Sequence, residues 1–170
     1  MSEFKLRDYQ LDKAIEIEPF LRDKGIAYLV GEPRTGKTHI SLYLCNKLKS
    51  KKVLFITKKK AMSSIVLDYN TAGYTYDLIV INYESLHKVD TSSVDVVITD
   101  ESHGFGSFPK PSVNCKKVKE VFLKNRSAYH ILLSGTPAAE THSSFYHQFW
   151  VNPRSRSEER RVGKESRIGC

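Results

Sequence analysis

Five short, continuously apolar runs rich in β-branched and aliphatic residues recur along the chain. They cover residues 26–30, 53–57, 78–82, 96–99 and 130–134. Strands that are buried on both faces have this pattern, because helices cover a parallel sheet on each side. The connections between the runs are long enough for the crossover helices that parallel strands require.

Helical patterns occupy the gaps between these runs. The predicted helices cover residues 37–49, 61–71, 115–125 and 139–149. In the third, Val118, Val121 and Phe122 form a stripe at i, i+3 and i+4 spacing, which predicts one buried face. The alternation predicts an α/β domain with a mostly parallel sheet covered by helices on both faces. Ligands of such sheets bind beyond the carboxyl ends of the strands.

Composition limits the domain count and the cellular setting. The chain has 170 residues and a net charge of +8, of which residues 154–170 supply +3 through six Arg and Lys against three Glu. Residues 1–153 suffice for one domain, whereas the tail has almost no large apolar side chains and is expected to be disordered. The cysteines form no CxxC pair, and no signal peptide or membrane span is visible, so a cytoplasmic protein is expected.

A turn with the composition of a phosphate-binding loop follows the first run. Residues 31–38, GEPRTGKT, match G-x-x-x-x-G-K-[ST] and lead directly into a predicted helix. Gly31 and Gly36 let the backbone turn its N–H groups toward phosphate oxygens, at the positive end of the helix dipole. Lys37 is expected to reach the β- and γ-phosphates of ATP, and Thr38 to bind Mg²⁺ through its hydroxyl. The predicted nucleotide-binding residues of this loop are Gly31, Arg34, Thr35, Gly36, Lys37 and Thr38.

Two carboxylates follow the fourth run, at Asp100 and Glu101 in the string DESH. Acidic side chains at the rim of a buried strand are unfavourable beside a triphosphate unless a cation balances their charge. Asp100 is therefore expected to hold Mg²⁺, and Glu101 to orient and deprotonate the attacking water. Taken alone, the two residues also fit an ordinary helix start with acidic residues in its first turn.

The fifth run ends in the string SGTP, residues 134–137. Small hydroxyl residues at a strand end usually form a turn, so the interest of this string lies in its position. Ser134 is expected beside His103 on the same rim of the sheet, where a hydrogen bond between them could report the state of the nucleotide.

The strings LRDYQ, GEPRTGKT, DESH and SGTP occur in this order and together resemble the first RecA-like domain of superfamily 2 helicases and translocases. The resemblance covers residues 6 to about 150. The strings INYESL and SGTP are most similar to the Swi/Snf-like branch and to bacteriophage DNA helicases, and FGSFPKPS and FYHQFW are most similar to the phage group.

This resemblance implies a role for several residues in ATP hydrolysis. Gln10 would read the adenine edge, and Arg7 or Tyr9 would help to position the base. The implied catalytic residues are Lys37, Asp100, Glu101 and His103, and the residues implied to couple the ATP state to nucleic-acid grip are His103, Ser134 and Thr136.

The resemblance also implies contact with nucleic acid, with DNA the expected kind, at two strand ends. Thr57, Lys58 and Lys59 follow the second run as motif Ia does, and Asn82 and Tyr83 follow the third as motif Ib does. Hydroxyl, amide and ammonium groups contact phosphates without reading sequence. The lysines after the second run fit a solvated loop equally well.

Superfamily 2 motors hold ATP between two RecA-like domains, and the second domain supplies arginines that stabilise the transition state. The 17 residues after position 153 cannot contain such a domain, so the chain alone is expected to bind ATP and Mg²⁺ weakly, hydrolyse ATP slowly at best and unwind nothing. The string SEERRVGKE, residues 157–165, resembles the conceptual translation of a sequencing-library adapter. An arginine-rich tail that binds nucleic acid is the alternative interpretation.

Two other functions also fit the sequence. A P-loop phosphotransferase acting on a small molecule would need a lid and an acceptor pocket, and neither DESH nor SGTP would then need an explanation. A non-catalytic module that binds nucleic acid or a partner would keep the fold without a competent active site, so ATP would not change its affinity.

Overall fold

The computed structural model describes residues 4–32, 34–100, 112–135 and 151–152. The strands are β1 Ile26–Val30, β2 Lys52–Thr57, β3 Asp77–Asn82, β4 Val96–Asp100 and β5 Tyr129–Ser134. The α-helices are α1 Asp8–Lys24, α2 Lys37–Lys47, α3 Met62–Ala72 and α4 Val113–Lys124, and 3₁₀ turns cover Lys59–Ala61 and Tyr83–Lys88.

The five strands form one sheet in the order β1-β5-β4-β2-β3, and every neighbouring pair is parallel. All five carboxyl ends therefore lie on the same edge of the sheet, which we call the carboxyl edge. Each predicted run is a strand, with bounds that differ by at most one residue. The expected parallel α/β sheet is confirmed, and among the described strands it is entirely rather than mostly parallel.

Successive side chains of the strands point to opposite faces and feed two apolar layers. In β2, Val53 and Phe55 belong to the layer formed with α1, α2 and α3. Leu54 and Ile56 belong to the layer formed with α4 and the 3₁₀ turn after β3. Because both faces are covered, the strands need no polar alternation, which explains their continuously apolar sequence.

Helix α1 was not predicted from the sequence. Its buried positions are only Gln10, Ala14 and Leu21, and Pro19 interrupts it, so its apolar stripe is narrow and broken. A proline inside a helix removes one backbone hydrogen bond. The helix ends at Gly25, whose left-handed backbone (φ 75°) lets its N–H reach the Leu21 carbonyl at 2.8 Å.

The remaining helix predictions agree with the structure to within two residues at each end, where the chain is described. Helix α4 starts earlier than predicted because the Ser112 hydroxyl caps it, accepting a hydrogen bond from the Cys115 N–H at 3.1 Å. The predicted helix 139–149 and the tail 154–170 lie outside the described residues. Among the helices that are described, none combines the length and apolar character needed to cross a membrane.

Candidate nucleotide site

The loop between β1 and α2 has the backbone that its glycines predict. Gly36 is the N-cap of α2 and adopts a left-handed conformation with φ 82°, and no side chain of the described residues caps this helix end. The first N–H groups of an α-helix lack an intrahelical acceptor. Helix α2 therefore begins, next to the carboxyl edge, with uncapped N–H groups that favour an anion.

The ammonium group of Lys37 folds back over this loop. Its Nζ donates to the carbonyls of Gly31 at 2.6 Å and Glu32 at 2.9 Å. The Thr35 hydroxyl donates to the same Glu32 carbonyl at 2.8 Å. These bonds hold the loop in a compact turn and keep the positive charge of Lys37 within it.

The first turn of α1 packs directly against the loop. The Tyr9 hydroxyl donates to the Thr35 carbonyl at 3.2 Å, and Gln10 Nε2 donates to the Tyr9 hydroxyl at 3.3 Å. Gln10 Oε1 accepts from the Arg7 N–H at 3.1 Å. The structure therefore places Gln10 beside the loop, and its role toward adenine stays a prediction.

The loop and Asp100 lie on the same edge of the sheet, separated by strand β5 alone. Gly31 N–H donates to the Ser134 carbonyl at 3.2 Å, which joins the loop to the end of β5. On the other side of β5, Asp100 pairs in register with Leu133. Two strand spacings of ~4.8 Å put the ends of β1 and β4 about 10 Å apart.

Three predicted site residues lie outside the described part of the chain: Glu101, His103 and Thr136. Their roles, and the expected bond between His103 and Ser134, therefore stay predictions. Ser134 itself is fully buried at the end of β5, where its carbonyl contacts the loop.

The residues predicted to contact nucleic acid differ in exposure. Thr57 is completely buried, and Asn82 and Tyr83 are each only 9% exposed. Lys58 and Lys59 are exposed. Contact of these residues with nucleic acid stays a prediction.

The hydroxyls of Thr57 and Tyr83 contact Asp100. Thr57 Oγ1 donates to Asp100 Oδ2 at 2.8 Å, and the Tyr83 hydroxyl donates to the Asp100 carbonyl at 2.8 Å. Lys117 of α4 reaches the same segment, where its Nζ donates to the Tyr83 carbonyl at 3.3 Å. Sequence reasoning missed these contacts, because they follow from strand order and register, which no local pattern encodes.

The chemistry of the loop and of Asp100 fits a magnesium-bound nucleotide. A β-carbon on Gly31 would lie 2.8 Å from Thr35 Oγ1, so a larger residue there would displace the Thr35 hydroxyl from its place in the turn. Thr38 and Asp100 supply hydroxyl and carboxylate oxygens, which are the donors that Mg²⁺ prefers. Lys37 and the start of α2 supply positive charge and N–H donors for phosphate.

No protein-family model matches the chain, and no curated protein matches it in sequence. Among solved structures, the fold is similar to that of a nuclease-deletion mutant of the Type ISP restriction-modification enzyme LlaGI in complex with a DNA substrate mimic. The TM-score is 0.55 and the identity 16%, and the similarity covers 79% of this chain but only 18% of that one. At this identity the comparison establishes the fold alone, a parallel α/β fold consistent with a RecA-like domain, which confirms the fold class predicted from the sequence.

Proposed function

We propose that this chain is the ATP-binding half of a nucleic-acid-dependent ATPase of the DNA helicase or translocase type. The observation that carries the proposal is the common edge shared by the loop around Lys37 and by Asp100, which lie one strand apart. Ligands of parallel sheets bind at this edge. Nucleic-acid binding is further supported by the exposed lysines that follow β2 on the same edge.

In the proposed site each residue has a distinct task. Lys37 would exchange its bonds to the Gly31 and Glu32 carbonyls for bonds to phosphate oxygens. Thr38 and Asp100 would hold Mg²⁺, and Glu101 would accept a proton from the attacking water. When bound, the metal ion would supply positive charge that offsets the negative charge of the phosphates. Full activity would require a second RecA-like domain that supplies arginines to the opposite side of the nucleotide.

Binding of a fluorescent ATP analogue to the 170-residue chain in Mg²⁺ tests the nucleotide site. Lys37→Ala is expected to weaken binding by about tenfold or more, because a hydrogen bond to a charged group contributes ~1.5–3 kcal/mol. Lys47→Ala is the control, since this lysine is exposed in the last turn of the same helix. Equal affinity of the wild type and Lys37→Ala would contradict the proposed site.

Hydrolysis is tested in a polypeptide that also contains the second domain. Its ATPase activity is expected to rise with DNA, and Glu101→Gln is expected to abolish turnover while leaving nucleotide binding intact. A phosphorylated small molecule formed without nucleic acid would instead favour the phosphotransferase. Nucleic-acid affinity that does not change with ATP or with Lys37→Ala would favour the non-catalytic module.

A further inference from the structure

The sheet register places Asp100 of β4, Thr57 of β2 and Asn82 of β3 side by side. Ile56 of β2 pairs with Thr99 of β4, so the next residue, Thr57, lies level with Asp100. On the other side of β2, Thr57 pairs with Asn82. Strand β2 therefore brings the segments that follow β2 and β3 next to Asp100.

Thr57 fixes the direction of the Asp100 carboxylate. Its hydroxyl lies 2.8 Å from Asp100 Oδ2 and donates to it, and its side chain is fully buried among the strands. A β-branched side chain inside a sheet has few available rotamers. The donor is therefore rigid, and a hydrogen bond to an ionised oxygen is stronger than one between neutral groups.

Tyr83 holds the backbone of the same residue. Tyr83 lies in the segment that follows β3, and its hydroxyl donates to the Asp100 carbonyl at 2.8 Å. Lys117 donates to the Tyr83 carbonyl and ties this segment to α4. Asp100 is thus held at its carboxylate from β2 and at its main chain from the 3₁₀ turn after β3.

We propose that Thr57 and Tyr83 are positioning residues that orient Asp100 toward Mg²⁺, an inference that rests on the proposed nucleotide site. Partners that hydrogen-bond to a metal ligand set its orientation, and their loss typically weakens metal affinity by 10–100-fold. Each positioning residue directly adjoins a segment predicted to meet nucleic acid. A shift of either segment on binding nucleic acid would therefore be transmitted to Asp100 through these hydrogen bonds.

The Mg²⁺ dependence of nucleotide binding tests this role in the 170-residue chain. Thr57→Val keeps the shape of the side chain but removes the hydroxyl, and we expect half-saturation to require about tenfold more Mg²⁺. Affinity for the fluorescent ATP analogue in EDTA is expected to stay within twofold of the wild type. Thr57→Ser restores the hydroxyl and is expected to restore the Mg²⁺ dependence.

Thr99→Val is the matched control, because Thr99 is a buried threonine next to Asp100 whose hydroxyl lies 2.9 Å from His130 Nε2 instead. It is expected to leave the Mg²⁺ midpoint unchanged. An unchanged midpoint in Thr57→Val, an equal shift in Thr99→Val, or failed rescue by Thr57→Ser would overturn the positioning role. A wild-type chain that binds no nucleotide at all would instead refute the proposed function, and the metal-positioning role with it.

A double-mutant cycle tests the contact without any ligand. Thr57→Val is expected to lower Tm in the wild-type background but to have a clearly smaller effect in an Asp100→Ala background. Additive Tm shifts would show that the two side chains do not interact, and they would overturn the inference even if the chain binds nucleotide.

Discussion

The side-chain amide of Gln10 occupies the space that any β-carbon on Gly36 would need. A β-carbon built on Gly36 would lie 1.9 Å from Gln10 Nε2 and 2.9 Å from its Cδ. Gly36 also has φ 82°, which residues with a side chain rarely adopt. The first turn of α1 and the loop at the start of α2 therefore fit together only because position 36 is glycine.

Gly36→Ala is expected to lower the free energy of unfolding by about 3 kcal/mol. Left-handed backbone contributes ~1–2 kcal/mol, and displacement of Gln10 breaks its bonds to Arg7 N and Tyr9 Oη, at ~1 kcal/mol each. In a Gln10→Ala background the clash is gone, so Gly36→Ala should then cost only the backbone contribution. Urea denaturation of the four proteins measures both effects.

Gly73→Ala separates backbone strain from crowding. Gly73 has a similar φ of 71°, but a β-carbon there would meet no atom within 4 Å. This control should cost ~1–2 kcal/mol, whether or not Gln10 is present. If Gly36→Ala destabilised the protein no more than Gly73→Ala does, the close fit between Gln10 and Gly36 would be refuted.

His130 is expected to make the protein less stable as the pH falls. It is fully buried in β5, with Nε2 2.9 Å from the Thr99 hydroxyl and its ring centroid 4.6 Å from that of Phe122. Burial lowers the pKa of His130 to about 3. Protonation would bury a positive charge and make both ring nitrogens donors, and Nδ1 lacks a hydrogen-bond partner among the described residues.

The sign of the effect follows from proton uptake. An unfolded histidine takes up a proton below pH ~6.5, whereas folded His130 stays neutral down to about pH 3. Above pH ~6.5 His130 is neutral in both states and does not lower the free energy of unfolding. As the pH falls from ~6.5 toward about 3, proton uptake by the unfolded chain lowers the free energy of unfolding progressively. Between pH 6.5 and pH 5 this amounts to ~2 kcal/mol.

Urea denaturation at pH 7 and pH 5 measures this contribution in His130→Gln. The variant retains a group that can hydrogen-bond to Thr99 but removes the titration, so its stability should fall less than that of the wild type between the two pH values. His87→Gln changes an exposed histidine and should leave the pH dependence as it is. A wild-type pH dependence in His130→Gln would argue that the His130 ring is protonated without penalty.

The strands could be predicted from the sequence because burial on both faces makes the sequence of each strand continuously apolar. Phe55 and Leu54 are adjacent in the chain, fully buried, and packed on opposite sides of the sheet. Helix α1 has no comparable apolar pattern, since it contains Pro19 and buries few residues. A helix held mainly by contacts with its neighbours has only a weak local signature.

In the candidate site, too, the features formed by contiguous residues could be predicted and the long-range contacts could not. The loop at Gly36 and Lys37 could be predicted, because its glycines, its lysine and the following helix are contiguous in the sequence. The bond from Thr57 to Asp100 could not, because it joins residues 43 positions apart. It depends on β2 lying next to β4, and no periodicity along the chain specifies which strands become neighbours.

The amide of Asn125 holds the end of α4 to the segment that enters β4. Its Oδ1 accepts from the Val94 N–H at 2.9 Å, and its Nδ2 donates to the carbonyls of Thr91 at 2.6 Å and Val121 at 2.9 Å. The side chain is buried, so the Val94 N–H and the Thr91 carbonyl are paired with it away from bulk water. Asn125 thereby aligns the amino end of the strand that carries Asp100.

Asn125→Asp is expected to destabilise the protein by ~2–4 kcal/mol while changing few atoms. The carboxylate can still accept from Val94 N–H, but it has no N–H to donate and would face two carbonyl oxygens as a buried charge. Asn70→Asp makes the same change on the exposed side of α3 and should cost less than ~0.5 kcal/mol. Urea denaturation at pH 7 measures both, and because protonation restores a donor, the penalty of Asn125→Asp should shrink at pH 4. A loss as small as that of Asn70→Asp would show that water can replace the amide, and that this junction does not depend on Asn125.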